Sequence, residues 1–183
     1  MQHVVAAYER ALGGPLGRLP LTAHLGEERG SDAETALVFA RLPVRRIGHG
    51  VCLSEEHFDQ FAVGRCVEMC PTSNMCTLGL ADMHGHPMVR RARERIERLK
   101  QGRDRAGTAA FVICTDDIGL FLTSPRREAQ LCEALGWAPE DAVLLAHDAM
   151  EFAFCSAGRK AEVRAQLGEY LARRGVALDL RAP

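Results

Sequence analysis

The chain has no apolar run approaching the roughly 20 residues needed to span a bilayer. Its first residues, 1–14, carry Glu9 and Arg10 within an amphipathic pattern, unlike a signal peptide. Net charge is nearly absent as well: 23 Lys and Arg against 24 Asp and Glu leave −1. Without an excess of either sign, a nucleic-acid or membrane-surface role loses its electrostatic basis, and a small molecule or another protein is the expected partner. The cysteine pattern lacks the C-x2-C knuckle of a structural zinc site. Cys66, Cys70 and Cys76 are spaced C-x3-C-x5-C, and the total of seven is odd. Reduced thiols in a cytoplasmic protein fit this better than a disulfide framework.

Present instead is an ordinary globular composition, 183 residues with 47% apolar and 26% charged. That is enough to bury roughly two-thirds of the unfolded surface in one domain, residues 1–183. Apolar spacing (Val4, Val5, Tyr8, Leu12) predicts a helix over 3–12 that stops at Gly13-Gly14, followed by a short strand at 20–23. Ser31 and Glu34 form a capping-box pattern at the start of a helix reaching about Arg41. A strand at 46–48, a helix opened by Ser54, a strand at 66–69 and a long helix begun by Pro87 and ending near Gln101 come next. A fourth strand at 110–113 precedes helices begun by Pro125 and Pro139 and a last amphipathic helix ending at Gly175. Strand-then-helix alternation implies an α/β fold with a parallel sheet.

The fourth strand runs from four β-rich residues into Cys114, Thr115 and two adjacent carboxylates, Asp116 and Asp117. Crowded carboxylates call for a cation or hydrogen-bond donors, although a turn in which one of them caps the next segment is the plainer reading. The other three strands also end in polar clusters: His24-Leu25-Gly26-Glu27, Gly48-His49-Gly50, and Glu68 through Asn74. A lone histidine after a strand is usually a hydrogen-bonded core residue. In a parallel sheet or barrel, however, all strand carboxyl ends open on one face, so the four clusters converge, and convergence makes a site.

As chemistry, the set offers two zinc ligands in His24 and Asp116, a proton-transfer acid in Glu27, a second imidazole in His49 and a spare carboxylate in Asp117. Zinc with nitrogen and oxygen ligands lowers the pKa of water toward about 7. A nearby carboxylic acid can protonate what is attacked, so the expected class is metal-assisted hydrolysis.

Leu19 to Glu27, Arg46 to Gly50, Cys70-Pro71-Thr72-Ser73-Asn74 and Cys114-Thr115-Asp116-Asp117 together resemble, in the same order, the later motifs of the adenosine deaminase family. The resemblance covers roughly residues 15–170. The wording around Ser73 and Cys114 to Phe121 looks most like the adenosine deaminase-like, or N6-methyl-AMP deaminase, branch. It implies a fold that is the C-terminal half of a TIM (β/α)8 barrel, with about four parallel strands, flanking helices and extra C-terminal helices. It also implies one zinc ion and hydrolytic removal of an amine from the 6-position of a purine nucleoside or nucleoside monophosphate. By the same resemblance His24 and Asp116 would be the metal ligands and Glu27 would protonate the purine ring. His49 would orient and deprotonate the water, and Asp117 and Gly26 would contact the substrate. The cytidine-type pattern, His-x-Glu with Pro-Cys-x-x-Cys, is not met: the spacing here is His-x-x-Glu, and Cys70 precedes its proline.

The family's first strand carries a His-x-His pair of zinc ligands, and none precedes His24. His84-Gly85-His86 has that spacing but lies late, and His3 is placed on a helix. The expectation is therefore a partial deaminase domain: a truncated form, a half-barrel completed by self-association or by a separate N-terminal half, or a catalytically impaired remnant acting as a binding module. Residues 87–109 read as a charged helix and insertion rich in arginine, a solvated face more readily than a phosphate or RNA contact. A different metal-dependent hydrolase barrel, with two metals bridged by a carbamylated lysine, is disfavoured because no lysine lies on any of the four strands.

Overall fold

The computed structural model describes residues 2–13, 19–103 and 107–176. Helix α1 (Gln2–Leu12) leads to strand β1 (Leu21–Leu25), and α2 (Asp32–Arg41) to β2 (Val44–His49). Helix α3 (Glu55–Ala62) is followed by β3 (Cys66–Met69), α4 (Pro71–Leu78) and α5 (Pro87–Lys100). Strand β4 (Ala110–Ile113) is followed by α6 (Ile118–Phe121), α7 (Pro125–Ala134), α8 (Pro139–Ala149) and α9 (Ala157–Arg173). The strands form one sheet in the order β1-β2-β3-β4, every neighbouring pair parallel.

Each expected strand and helix is present, with boundaries moved by one or two residues. Gly14 and residues 104–106, at which the first helix and the 87–109 segment were to end or continue, lie outside the described residues. Ser54 and Ser124 cap α3 and α7 by accepting from His57 N (3.2 Å) and Arg127 N (3.3 Å). The capping box at Ser31 is not formed. Ser31 has φ −84 and ψ 5, and its hydroxyl donates backward to the Glu28 carbonyl at 2.7 Å, which leaves it turned away from the amides of α2. Helix α4 was not expected: its sequence PTSNMCTL has a weak apolar stripe, and two of its three buried residues are the polar Ser73 and Asn74.

The sheet is two-faced. One face supplies Leu25, Ile47, Val67, Met69 and Phe111 to a core completed by Val38, Phe58, Ala62, Met88, Ala92, Ile96, Leu144 and Leu145 from the helices. The other carries a polar ladder: Thr22 Oγ1 donates to Glu68 Oε1 at 3.1 Å, and Arg46 Nε is 2.6 Å from the same oxygen. A parallel sheet enclosed by helices on both sides would read as nearly continuous apolar runs. In β1 to β3 polar residues are interspersed with core residues, as on strands around a barrel interior, whereas β4 is apolar throughout and packs Ala110 and Val112 against Ala149 and Phe152. The core is closed behind β4 by a buried fork between Arg95 of α5 and Asp148 of α8, with Nε to Oδ2 at 3.0 Å and Nη2 to Oδ1 at 2.9 Å.

No described helix is long and apolar enough to cross a membrane. All seven cysteines are free. Burial raises the pKa of Cys66 and Cys70 and pushes Cys114 up to about 11, so these three are protonated thiols at neutral pH.

His86 is 1% exposed, and its Nδ1 caps α5 by accepting from Met88 N at 3.2 Å. Burial lowers its pKa from 6.5 to about 4. Below pH 6.5 the unfolded chain takes up a proton that the folded chain refuses until about pH 4. Stability is therefore complete above pH 6.5 and declines through that window, by up to about 3 kcal/mol. Urea unfolding of wild type and His86→Asn at pH 7 and pH 5 checks this: the variant, which keeps a capping side chain, should lose markedly less stability on acidification.

Candidate metal and proton-transfer site

Because all four strands are parallel, their carboxyl ends share one rim, and the polar clusters meet there. His24, one residue before the end of β1, is in register with Gly48 of β2. A β-carbon on Gly48 would lie 3.2 Å from the His24 ring and 3.3 Å from its Cα, so the bare backbone at 48 is what admits the imidazole. His49 ends β2 with φ 68, and Asp116 follows β4 with φ 55. Left-handed backbone at a non-glycine residue costs roughly 1–3 kcal/mol, and such positions cluster at functional sites. Two of the three such residues among those described are in this cluster.

The ligand atoms of His24, His49 and Asp116 all lie within 4.8 Å of one another, and among the described residues this is the one group of three with that property. The two rings are tilted with centroids 5.0 Å apart. His49 is 1% exposed, with Nε2 3.5 Å from Glu27 Oε2 and 3.9 Å from Asp116 Oδ2. The amide Nδ2 of buried Asn74 donates to His49 Nδ1 at 3.1 Å, which leaves the ring's hydrogen on Nε2 when it is neutral. The hydroxyl of buried Ser73 donates to Asp116 Oδ2 at 2.7 Å. His24 is exposed, so one side of the cluster opens to solvent.

Glu27 is held by the loops that leave β1 and β2. Gly50 N donates to the Leu25 carbonyl at 2.9 Å, Cys52 N to the Gly26 carbonyl at 2.7 Å, and Cys52 Sγ to the Glu27 carbonyl at 3.2 Å. Gly26 has φ 62, and a β-carbon there would meet Leu53 Cγ at 2.5 Å.

Of the expected residues, the structure thus brings His24, Glu27, His49 and Asp116 together. Asp117 is exposed and opens α6 through its carbonyl, which accepts from Leu120 N and Phe121 N at 3.0 and 2.9 Å; neither aspartate caps with its side chain. Asp116 instead accepts from the Ser73 hydroxyl. His84 is exposed and His86 caps α5 through Nδ1; among the described residues neither belongs to a group of three potential metal ligands. Ser73 and Asn74 were read only as part of a motif. Pro71 at the first helical position was the available signal for a helix that would turn both toward the rim.

The family model for adenosine deaminase matches residues 1–170. The chain belongs to the adenosine deaminase family. An adenine deaminase of Rhodopseudomonas palustris is 30% identical over 160 residues, covering 85% of this chain and 43% of that one. The N6-methyl-AMP deaminase of Arabidopsis superposes with a TM-score of 0.69 at 23% identity, covering 90% of this chain and 45% of that one. An amidohydrolase of Burkholderia ambifaria with bound zinc superposes at 0.62 with 16% identity, covering 91% and 43%. The chain therefore spans less than half the length of the curated relatives it matches. The four strands with their helices are half of a (β/α)8 barrel.

Gly26→Ala combines left-handed strain with overpacking against Leu53, and should cost about 2–4 kcal/mol. Urea midpoints of the purified variant against wild type measure it, with Gly30→Ala as a control: it shares the left-handed strain (φ 81) but has nothing within 4 Å of the added carbon, so its loss should be clearly smaller.

Proposed function

We propose that this chain carries the metal-binding and proton-transfer half of a zinc-dependent hydrolytic deaminase acting on a 6-amino or 6-alkylamino purine nucleoside or nucleoside monophosphate. The observation that carries the reading is the convergence of His24, His49 and Asp116 within 4.8 Å beside Glu27, in a chain of the adenosine deaminase family.

The donors present are part of a zinc site: one nitrogen and one oxygen ligand, against the three protein ligands usual at a catalytic zinc, with no His-x-His pair before His24. His24 and Asp116 would hold the ion, Asp116 being fixed by the Ser73 hydroxyl at 2.7 Å. When bound, zinc supplies Lewis-acid activation of water at neutral pH. With Asn74 on Nδ1 and the hydrogen of the neutral ring on Nε2, 3.5 Å from Glu27, His49 presents a donor to the site: this suits orienting the water rather than ligation, and taking the water's proton would need the other tautomer. Glu27, half-buried, holds the proton destined for the purine ring nitrogen next to the carbon that loses its amine. Exposed Asp117 and the close backbone at Gly26 are assigned to the base.

Two measurements test this. Metal analysis of the purified 183-residue chain after zinc loading decides the metal role: zinc near one equivalent, lost in Asp116→Ala, supports a working half-site, and a metal-free chain means that the two ligands present are too few to hold the ion. The substrate assignment favours N6-methyl-AMP over adenosine. The 30% identity to an adenine deaminase supports a second reading, the free base. Assayed side by side, methylamine release from N6-methyl-AMP should outpace ammonia release from adenosine and from adenine. Fastest turnover of adenine would replace the nucleotide assignment with the base, and no turnover of any of the three by a zinc-loaded chain would favour a binding module.

A further inference from the structure

Glu128 is 0% exposed, and nothing in the chemistry above uses it. It lies in the first turn of α7, where an acidic residue is ordinarily a solvated complement to the helix dipole. Here the carboxylate leaves its own helix. Oε2 accepts from Thr72 N of α4 at 3.0 Å, and Oε1 accepts from the Thr123 hydroxyl.

The first turn of α4 needs this acceptor. Cys70 precedes it without a side-chain cap, and Pro71 has no N–H, so Thr72 N is the first free amide of the helix. A buried carboxylate at a helix N-terminus makes a charge-assisted bond that complements the dipole. The next two residues of the same turn serve the rim: Ser73 Oγ donates to Asp116 and Asn74 Nδ2 to His49. Three consecutive residues of α4 therefore tie it to α7, to the segment after β4 and to the end of β2.

We infer that Glu128 is a positioning residue for the site: by fixing the first turn of α4 it sets Ser73 and Asn74, and through them the orientation of Asp116 and the ring of His49. The consequence for metal binding rests on the deaminase reading; the consequence for the His49 ring does not. Loss of Glu128 should disturb two side chains that it never touches, while an equally destabilising lesion elsewhere leaves them alone.

The test uses the full 183-residue chain at one fixed neutral pH. Imidazole 15N–1H spectra of the metal-free protein report the His49 ring, and titration with zinc reports the ligands. Glu128→Ala should shift the His49 ring signals and weaken zinc binding by about 10- to 100-fold, the range seen when a residue supporting a ligand is lost. Glu128→Gln retains an acceptor for Thr72 N and should restore both. Leu171→Ala, at a fully buried position in α9, is the packing control and should change neither. If Glu128→Ala does not fold, Glu128→Asp, which withdraws the carboxylate by one methylene, takes its place with the same expectation. His49 signals identical to wild type in a folded Glu128 variant, alongside a stability loss like that of Leu171→Ala, would overturn the inference and make Glu128 a packing residue. Failure of the wild-type chain to bind zinc would remove the metal-holding part of the proposed function while the His49 spectra still decided the role of Glu128.

Discussion

Parallel pairing is the constraint on which everything else depends. It sends the four strands the same way, so the residues after Leu25, Gly48, Met69 and Ile113 share one rim although they are scattered over nearly a hundred positions of chain. The interstrand register then fixes which side chains can meet. His24 lies beside Gly48 because β1 and β2 pair there, and the same alignment places Thr22 next to Arg46 on the polar face. A one-residue slip of β1 would turn His24 toward the helices and expose Ala23 or Leu25 in its place. The apolar face that resists the slip thus protects the site as well as the core.

Much of this was legible because strands and helix starts announce themselves locally. Pro87, Pro125 and Pro139 each open a helix at its first residue, and Cys66 to Met69 and Ala110 to Ile113 are strands at the expected positions. The convergence of His24, Glu27, His49 and Asp116 also followed from strand ends alone. What failed to show was the layer behind them. Helix α4 buries serine and asparagine, so hydrophobic spacing had nothing to detect. Glu128 looks on paper like any acid in a first turn; its burial depends on α7 packing beside α4, a tertiary fact. Ser31 with Glu34 was the opposite case, a correct local pattern overridden because the chain enters α2 through a turn that engages the Ser31 hydroxyl first.

The arrangement of the site separates the groups proposed to do chemistry from those that hold them. His24 and Glu27 are reachable from solvent, while His49, Ser73, Asn74 and Glu128 are buried and joined by hydrogen bonds. Each of these buried groups has at least one hydrogen-bond partner, which is what makes burying it tolerable, although the Asn74 carbonyl oxygen has none. Asp116 sits at the boundary, one oxygen bound from inside and the carboxylate still partly open.

The left-handed backbone at His49 and Asp116 sets the terms on which these positions can drift through evolution. Glycine or asparagine adopts that conformation with less strain, so exchanging either residue for one of them relieves the chain while deleting an imidazole or a carboxylate. The relief is partial: without the buried ring at 49 Asn74 loses its partner, and without the carboxylate at 116 Ser73 does. The strained backbone at 49 and 116 and the buried partners of their side chains therefore pull in opposite directions on what each position can hold.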